Sequence, residues 1–175
     1  MNFAEANSNK PNAGKSRIGR DSNCQACVVA YEMRRKGYNV TAQPYHESNE
    51  TLVELSNDTT YCWLTEEREK PSLKKYNFKN EKDLVVKLSK IIENGYRYFF
   101  ECVWKKDYCE GEQYGHIVAI EKKDNKIKFY DPQDSEVDFR DYLPCIDYNA
   151  GVYILRVDNL ILNPSLAKDI IYKLE

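Results

Sequence analysis

From residue 24 onward, apolar side chains recur at Cys24, Cys27, Val28 and Tyr31, the i, i+3, i+4, i+7 spacing of one helical face. Asn23 is an N-cap residue type, Arg34, Arg35 and Lys36 fall in the last turn, and Gly37 stands where a left-handed residue ends a helix. The pattern predicts an amphipathic helix from Cys24 to Lys36. YNVTAQP reads as a short strand ending at Pro44, and residues 46–80 read as loops with short pieces around TLVEL and YCWL. A second helical period, Leu84, Val85, Leu88, Ile91 and Ile92, is headed by Asn80, carries Glu81 and Asp83 in its first turn, and closes at Asn94 and Gly95.

From residue 96 the period changes. YRYFFECVW, GHIVAIE, KIKFYD and GVYILRV are aromatic and β-branched runs separated by turn chemistry such as KKDNK, which predicts an antiparallel sheet of about four or five strands. Pro164 followed by Leu166, Ile170, Ile171 and Leu174 predicts a last helix. Helices followed by consecutive strands define an α+β fold, a sheet covered by helices.

Composition sharpens this only in part. A chain of 175 residues with 42% hydrophobic content can bury one sizeable core, so residues 18–175 are expected to form a single domain. Residues 1–17, rich in Asn, Ser, Lys and Gly and carrying Pro11, are expected to be a mobile segment or the stump of a linker. The net charge of −2 advertises neither nucleic acid nor an anionic membrane. There is no apolar signal-peptide core and no run near the roughly 18 residues of a spanning helix, so the chain reads as soluble. Six cysteines fall well short of a disulfide framework, and reduced thiols are expected.

Any chemistry needing an imidazole has two choices, His46 and His116. His116 opens the GHIVAIE strand, and the following strand ends FYDPQD. A hairpin turning around Lys123–Asn125 places Asp131 opposite His116 or within about two residues of it. Such a carboxylate can accept the Nδ1 proton and aim Nε2 at a nucleophile. A cysteine in the first turn of a helix gains from uncapped N–H groups and the positive end of the helix dipole, which favour the thiolate, and Cys24 falls there. Cys27, one turn deeper, shares a face that also reads as plain core. Zinc would need two more ligands, and no second CxxC, HxxxH or CxxH follows, so no metal is expected.

Three stretches in order, NCQACVVAYEMRRKGYNVTAQP, ENGYRYFFECVW and GHIVAIEKKDNKIKFYDPQ, resemble the papain-fold toxin family, glutamine-deamidase-like domains found at the tips of bacterial polymorphic toxins. The resemblance implies a papain-like fold in which the nucleophile helix packs on the antiparallel sheet, and thiol chemistry on a protein side-chain amide without a cofactor. Carried over residue by residue, it implies Cys24 as nucleophile, His116 as base and Asp131 as its orienting acid. Cys27 stays as an alternative, because papain's own nucleophile is the second cysteine of a similar string. Papain's oxyanion glutamine has no counterpart, Ile18 standing in that neighbourhood, which leaves Asn23, Gln25 or Gln113 for that role and Gln133 as a positioning residue. The implied partners are a protein substrate of a host or competitor cell and a cognate immunity protein. Export within a larger toxin is implied too, with action in the target-cell cytosol. A cysteine protease or transglutaminase of the same fold, or a non-catalytic protein-binding module, are the rival readings.

Overall fold

The structure, a computed structural model, describes residues 6–7, 22–109, 113–135 and 138–174. Its elements in chain order are α1 (Cys24–Arg35), β1 (Val40–Ala42), α2 (Glu50–Asn57), β2 (Trp63–Leu64), β3 (Lys74–Tyr76), α3 (Glu81–Ile91), β4 (Arg97–Val103), β5 (Gly115–Lys123), β6 (Lys126–Tyr130), β7 (Val152–Arg156), β8 (Ile161–Leu162), α4 (Ala167–Ile170) and β9 (Ile171–Lys173). The chain divides into two compact units. One comprises Met1–Ser72, Pro132–Ser135 and Asn159–Glu175; the other comprises Leu73–Asp131 and Glu136–Asp158. Among the described residues no helix is long and apolar enough to cross a membrane.

In the first unit α1 packs on the antiparallel pair β1 and β9. The helix is less amphipathic than its spacing suggests, since Gln25 through Glu32 and Arg34 are all buried. Arg34, read from sequence as a residue complementing the helix dipole, is 2% exposed. Its guanidinium donates to the Val40 carbonyl at 2.8 Å and to Asn39 Oδ1 at 3.3 Å. The helix ends one residue earlier than expected. Gly37 at φ +98° donates to the Arg34 carbonyl and Tyr38 to that of Met33, a reversal that a side chain at position 37 would strain.

Two elements of this unit differ from the sequence reading for identifiable reasons. The short piece expected around TLVEL, given no type and set among loops, is the helix α2 over residues 50–57, because Asn49 caps it by accepting the Leu52 N–H at 3.1 Å and Leu52 and Leu55 are buried. The last helix shrinks to the four residues of α4. Ile171–Lys173 pair with β1 instead, with Gln43 donating to the Ile170 carbonyl and Leu174 to that of Asn39, and the β-branched Ile171 suits that strand.

The second unit is a five-stranded antiparallel sheet in the order β3-β7-β4-β5-β6. Four of these strands are the predicted ones; edge strand β3, too polar to stand out, was not foreseen. The β5–β6 turn places Asp124 and Asn125 at φ 52° and 59°, the two left-handed positions that a two-residue hairpin needs and that Asp and Asn tolerate. On one face Tyr98, Phe100, Cys102, Val118, Ile120, Val152 and Ile154 pack with Leu84 and Leu88 of α3, with Ile92 just past its end, and with Phe139 and Leu143. Each such large side chain, fully buried, contributes about 1.5–3 kcal/mol. Phe99, Ile117 and Leu155 on the opposite face are buried as well, so the strands read as continuous apolar runs rather than as alternation. α3 starts as its sequence predicts, Asn80 Oδ1 accepting the Asp83 N–H at 3.0 Å, but Val85, assigned to its apolar face, is 48% exposed.

Candidate active site

Cys24 is the first residue of α1 and is partly exposed, whereas Cys27 one turn later is 0% exposed. The Cys27 thiol donates to Asn23 Oδ1 at 3.3 Å. Cys27 is thus held as core, and its neighbour is the cysteine that solvent reaches. Cys62 and Cys102 are buried too, and burial pushes the Cys62 thiol far up, which keeps it protonated.

Asn23 stands at the N-cap position but its side chain does not cap the helix, contrary to the sequence reading. The reason is that other groups claim it. Its Nδ2 donates to the Gln43 carbonyl at 3.0 Å and to Asn7 Oδ1 at 3.3 Å, while its Oδ1 accepts from Cys27 and, at 3.5 Å, from Gln133 Nε2. Gln133 therefore ties its loop to the residue that precedes Cys24. Gln25 is buried, with Nε2 donating to Thr59 Oγ1 at 2.8 Å. Most of the N-terminal segment expected to be mobile lies outside the described residues. Ala6 and Asn7, however, are 0% and 4% exposed, and Asn7 Nδ2 donates to the Gln133 carbonyl at 3.2 Å.

In the second unit, His116 stands on β5 directly opposite Cys102 of β4, at the end of the face that carries Val118 and Ile120. The preceding Gly115 suits that close pairing, because a Cβ there would sit a tight 3.0 Å from the Cys102 carbonyl oxygen. The β5–β6 ladder runs from Lys123 opposite Lys126 to Ala119 opposite Tyr130, so Asp131 leaves the last strand as the ladder stops. Its Oδ2 lies 2.7 Å from His116 Nε2, with the two side chains 7% and 12% exposed. The sequence reading had assigned the carboxylate to Nδ1; in the structure it engages Nε2. The imidazole stacks beside Trp104 and Phe139, with ring centroids 5.7 and 6.0 Å away, so its plane is fixed by packing as well as by the carboxylate.

Gln113 does not offer its amide freely. Nε2 donates to the Trp104 carbonyl at 2.6 Å and to Asp147 Oδ2 at 3.1 Å, bracing the approach to β5. Tyr108 and Tyr114 are 44% and 53% exposed. Sequence reasoning missed Phe139, which lies in a 3-10 stretch whose place against the imidazole has no periodic signature. It also missed Asn7 and Gln43, whose neighbours are set by the fold alone.

A helix headed by a solvent-reached cysteine, and an antiparallel sheet that presents an orientated His–Asp pair, are the elements of papain-fold, cysteine-dependent hydrolases. Residues 22–135, more than half of the chain, match the family described as papain fold toxin 1, glutamine deamidase, and the chain belongs to that family. The matched span contains Cys24, Cys27, His116, Asp131 and Gln133. It stops short of β7, an interior strand of the five-stranded sheet. A search among curated proteins and a search among solved structures each found no match.

Proposed function

We propose that this chain is a toxin-type thiol amidohydrolase that converts a glutamine side chain of a target protein to glutamate, with Cys24 as nucleophile, His116 as general acid and base, and Asp131 as the group that orients His116. The observation that carries the reading is the nearly buried His116–Asp131 pair at 2.7 Å. A carboxylate beside the imidazole fixes its tautomer and stabilises the imidazolium that forms when the ring takes a thiol proton. The exposure of Cys24 against the burial of Cys27 favours the former as nucleophile.

In this scheme the Cys24 sulfur attacks the carboxamide carbon and its proton passes to His116. The tetrahedral adduct collapses as His116 returns that proton to the nitrogen; the C–N bond breaks and ammonia leaves a thioester. His116 then takes a proton from water, the hydroxide adds to the thioester carbon, the C–S bond breaks, and the imidazolium reprotonates the sulfur. No metal or organic cofactor enters this sequence. A protein target follows from the deamidase kind of the family; a cognate immunity protein and delivery within a larger toxin to the cytosol of a target cell belong to the same proposal.

The test is brief alkylation with iodoacetamide at about pH 6, where an ordinary thiol is almost wholly protonated, followed by peptide mapping of wild type and His116→Ala. Fast labelling confined to Cys24 and slowed in the variant is expected. Labelling centred on Cys27 would move the nucleophile by one turn, and uniform slow labelling would leave a binding module. Incubation with lysates then separates the chemistries: a glutamine converted to glutamate supports deamidation, whereas a shortened or cross-linked chain points to protease or transglutaminase action.

A further inference from the structure

We infer that Asn7, in the N-terminal segment that precedes the family-matched span, is a positioning residue for the nucleophile: together with the Gln43 carbonyl it holds Asn23 off its capping duty, so that the first turn of α1 keeps its N–H groups for the reaction. The inference rests on Cys24 being the nucleophile.

Asparagine is among the best N-cap residues, because its side-chain oxygen accepts from the second or third N–H of the helix. Elsewhere in this chain the role is filled as usual, by Asn49 for α2 and Asn80 for α3. Asn23 alone among these three does not cap, and it precedes the cysteine of the proposed reaction. Its side chain is 3% exposed and is drawn away by the bonds to Asn7, Gln43, Cys27 and Gln133. Asn7 is fixed in turn. It is 4% exposed, its amide donates to the Gln133 carbonyl, and the neighbouring Ala6 carbonyl accepts from Thr41 Oγ1 at 3.0 Å.

A diverted cap has a chemical use. First-turn N–H groups left without the cap oxygen can donate to an oxyanion formed when Cys24 adds to a carbonyl carbon, and they favour the thiolate itself. Without Asn7, one of the two acceptors that hold Asn23 Nδ2 is gone. The side chain can then turn to cap Gln25 or Ala26, an ordinary helix start that competes with the oxyanion for the same donors. The effect is therefore on reactivity more than on stability, since the new cap offsets part of the lost bond. The family match begins at residue 22, so a chain trimmed to the matched span would lack this device.

The experiment compares the 175-residue wild type, Asn7→Ala and Asn7→Asp. Iodoacetamide labelling of Cys24 is followed across pH, with Cys27 and Cys62 labelling as the internal reading of unfolding and a urea titration for stability. Asn7→Ala is expected to slow Cys24 labelling at about pH 6 on the order of tenfold and to move its pH profile upward while Cys27 and Cys62 stay protected. Asn7→Asp keeps the acceptor for Asn23 and is expected to recover part of the rate. A Cys24 rate and profile unchanged in Asn7→Ala would overturn the inference, and so would parallel exposure of Cys27, which would make the segment mere packing. If wild-type Cys24 is itself slow, the nucleophile reading fails and this inference with it, an outcome visible before any variant is compared.

Discussion

Replacing Asp131 by Asn keeps the size of the side chain and removes the charge that faces His116 Nε2. Two unit charges 2.7 Å apart attract by about 6 kcal/mol at an effective dielectric of about 20. Keeping a carboxylate at 7% exposure takes back several kcal/mol of hydration, so the net value falls to about 1.5–3 kcal/mol, the range of hydrogen bonds to charged groups. Lost only in the reacting state, that is a slowing of about 10- to 150-fold. The loss grows toward 10⁴-fold, on the order seen when a triad histidine is locked in the wrong tautomer, if the new amide turns its NH2 group to Nε2 and moves the ring proton to Nδ1. The assay is Cys24 alkylation at about pH 6 together with turnover of the target glutamine, with protected Cys27 and Cys62 reporting an intact fold. Packing against Trp104 and Phe139 still holds the ring, so stability changes far less than rate. If Asp131→Asn labels and turns over like wild type, the argument that the carboxylate sets the tautomer is wrong.

Three further outcomes follow from the same contacts. Cys27→Ala is expected to retain Cys24 labelling while costing about 1–2 kcal/mol in a urea titration, since it empties a fully buried site and drops the bond to Asn23; loss of labelling with stability intact would make Cys27 the nucleophile. Arg34→Ala should cost about 2–4 kcal/mol in the same titration, because the Val40 carbonyl loses a charged donor inside the first unit, and a change under a few tenths would refute that role. Asp158 is pushed up by burial but pulled further down by hydrogen bonds from Arg156 and the Arg97 N–H, so it ionises below the usual carboxylate range. A depressed folded value gives stability that is full above about pH 4 and is lost as pH falls through it; melting temperature against pH should drop less steeply there in Asp158→Asn than in wild type.

The sequence by itself determined what local chemistry decides. The period of the apolar positions found α1, α3 and four strands, Asp124–Asn125 marked a tight hairpin, and hairpin counting brought Asp131 to His116. Those features depend on neighbours a few residues apart or on a two-stranded register, and both are written in residue types. Tertiary structure decided whatever depends on partners distant in the chain. Ile171–Lys173 became a strand because β1 offered an edge to pair with, and Arg34 became a buried tie because the Val40 carbonyl needed a donor. Asn23 gave up its cap because Asn7 and Gln43 compete for it, and the carboxylate met Nε2 rather than Nδ1 where the ring lies packed beside Trp104 and Phe139. A side chain with several satisfying partners takes the set that leaves the fewest buried groups unpaired, and that set exists only once the chain has folded.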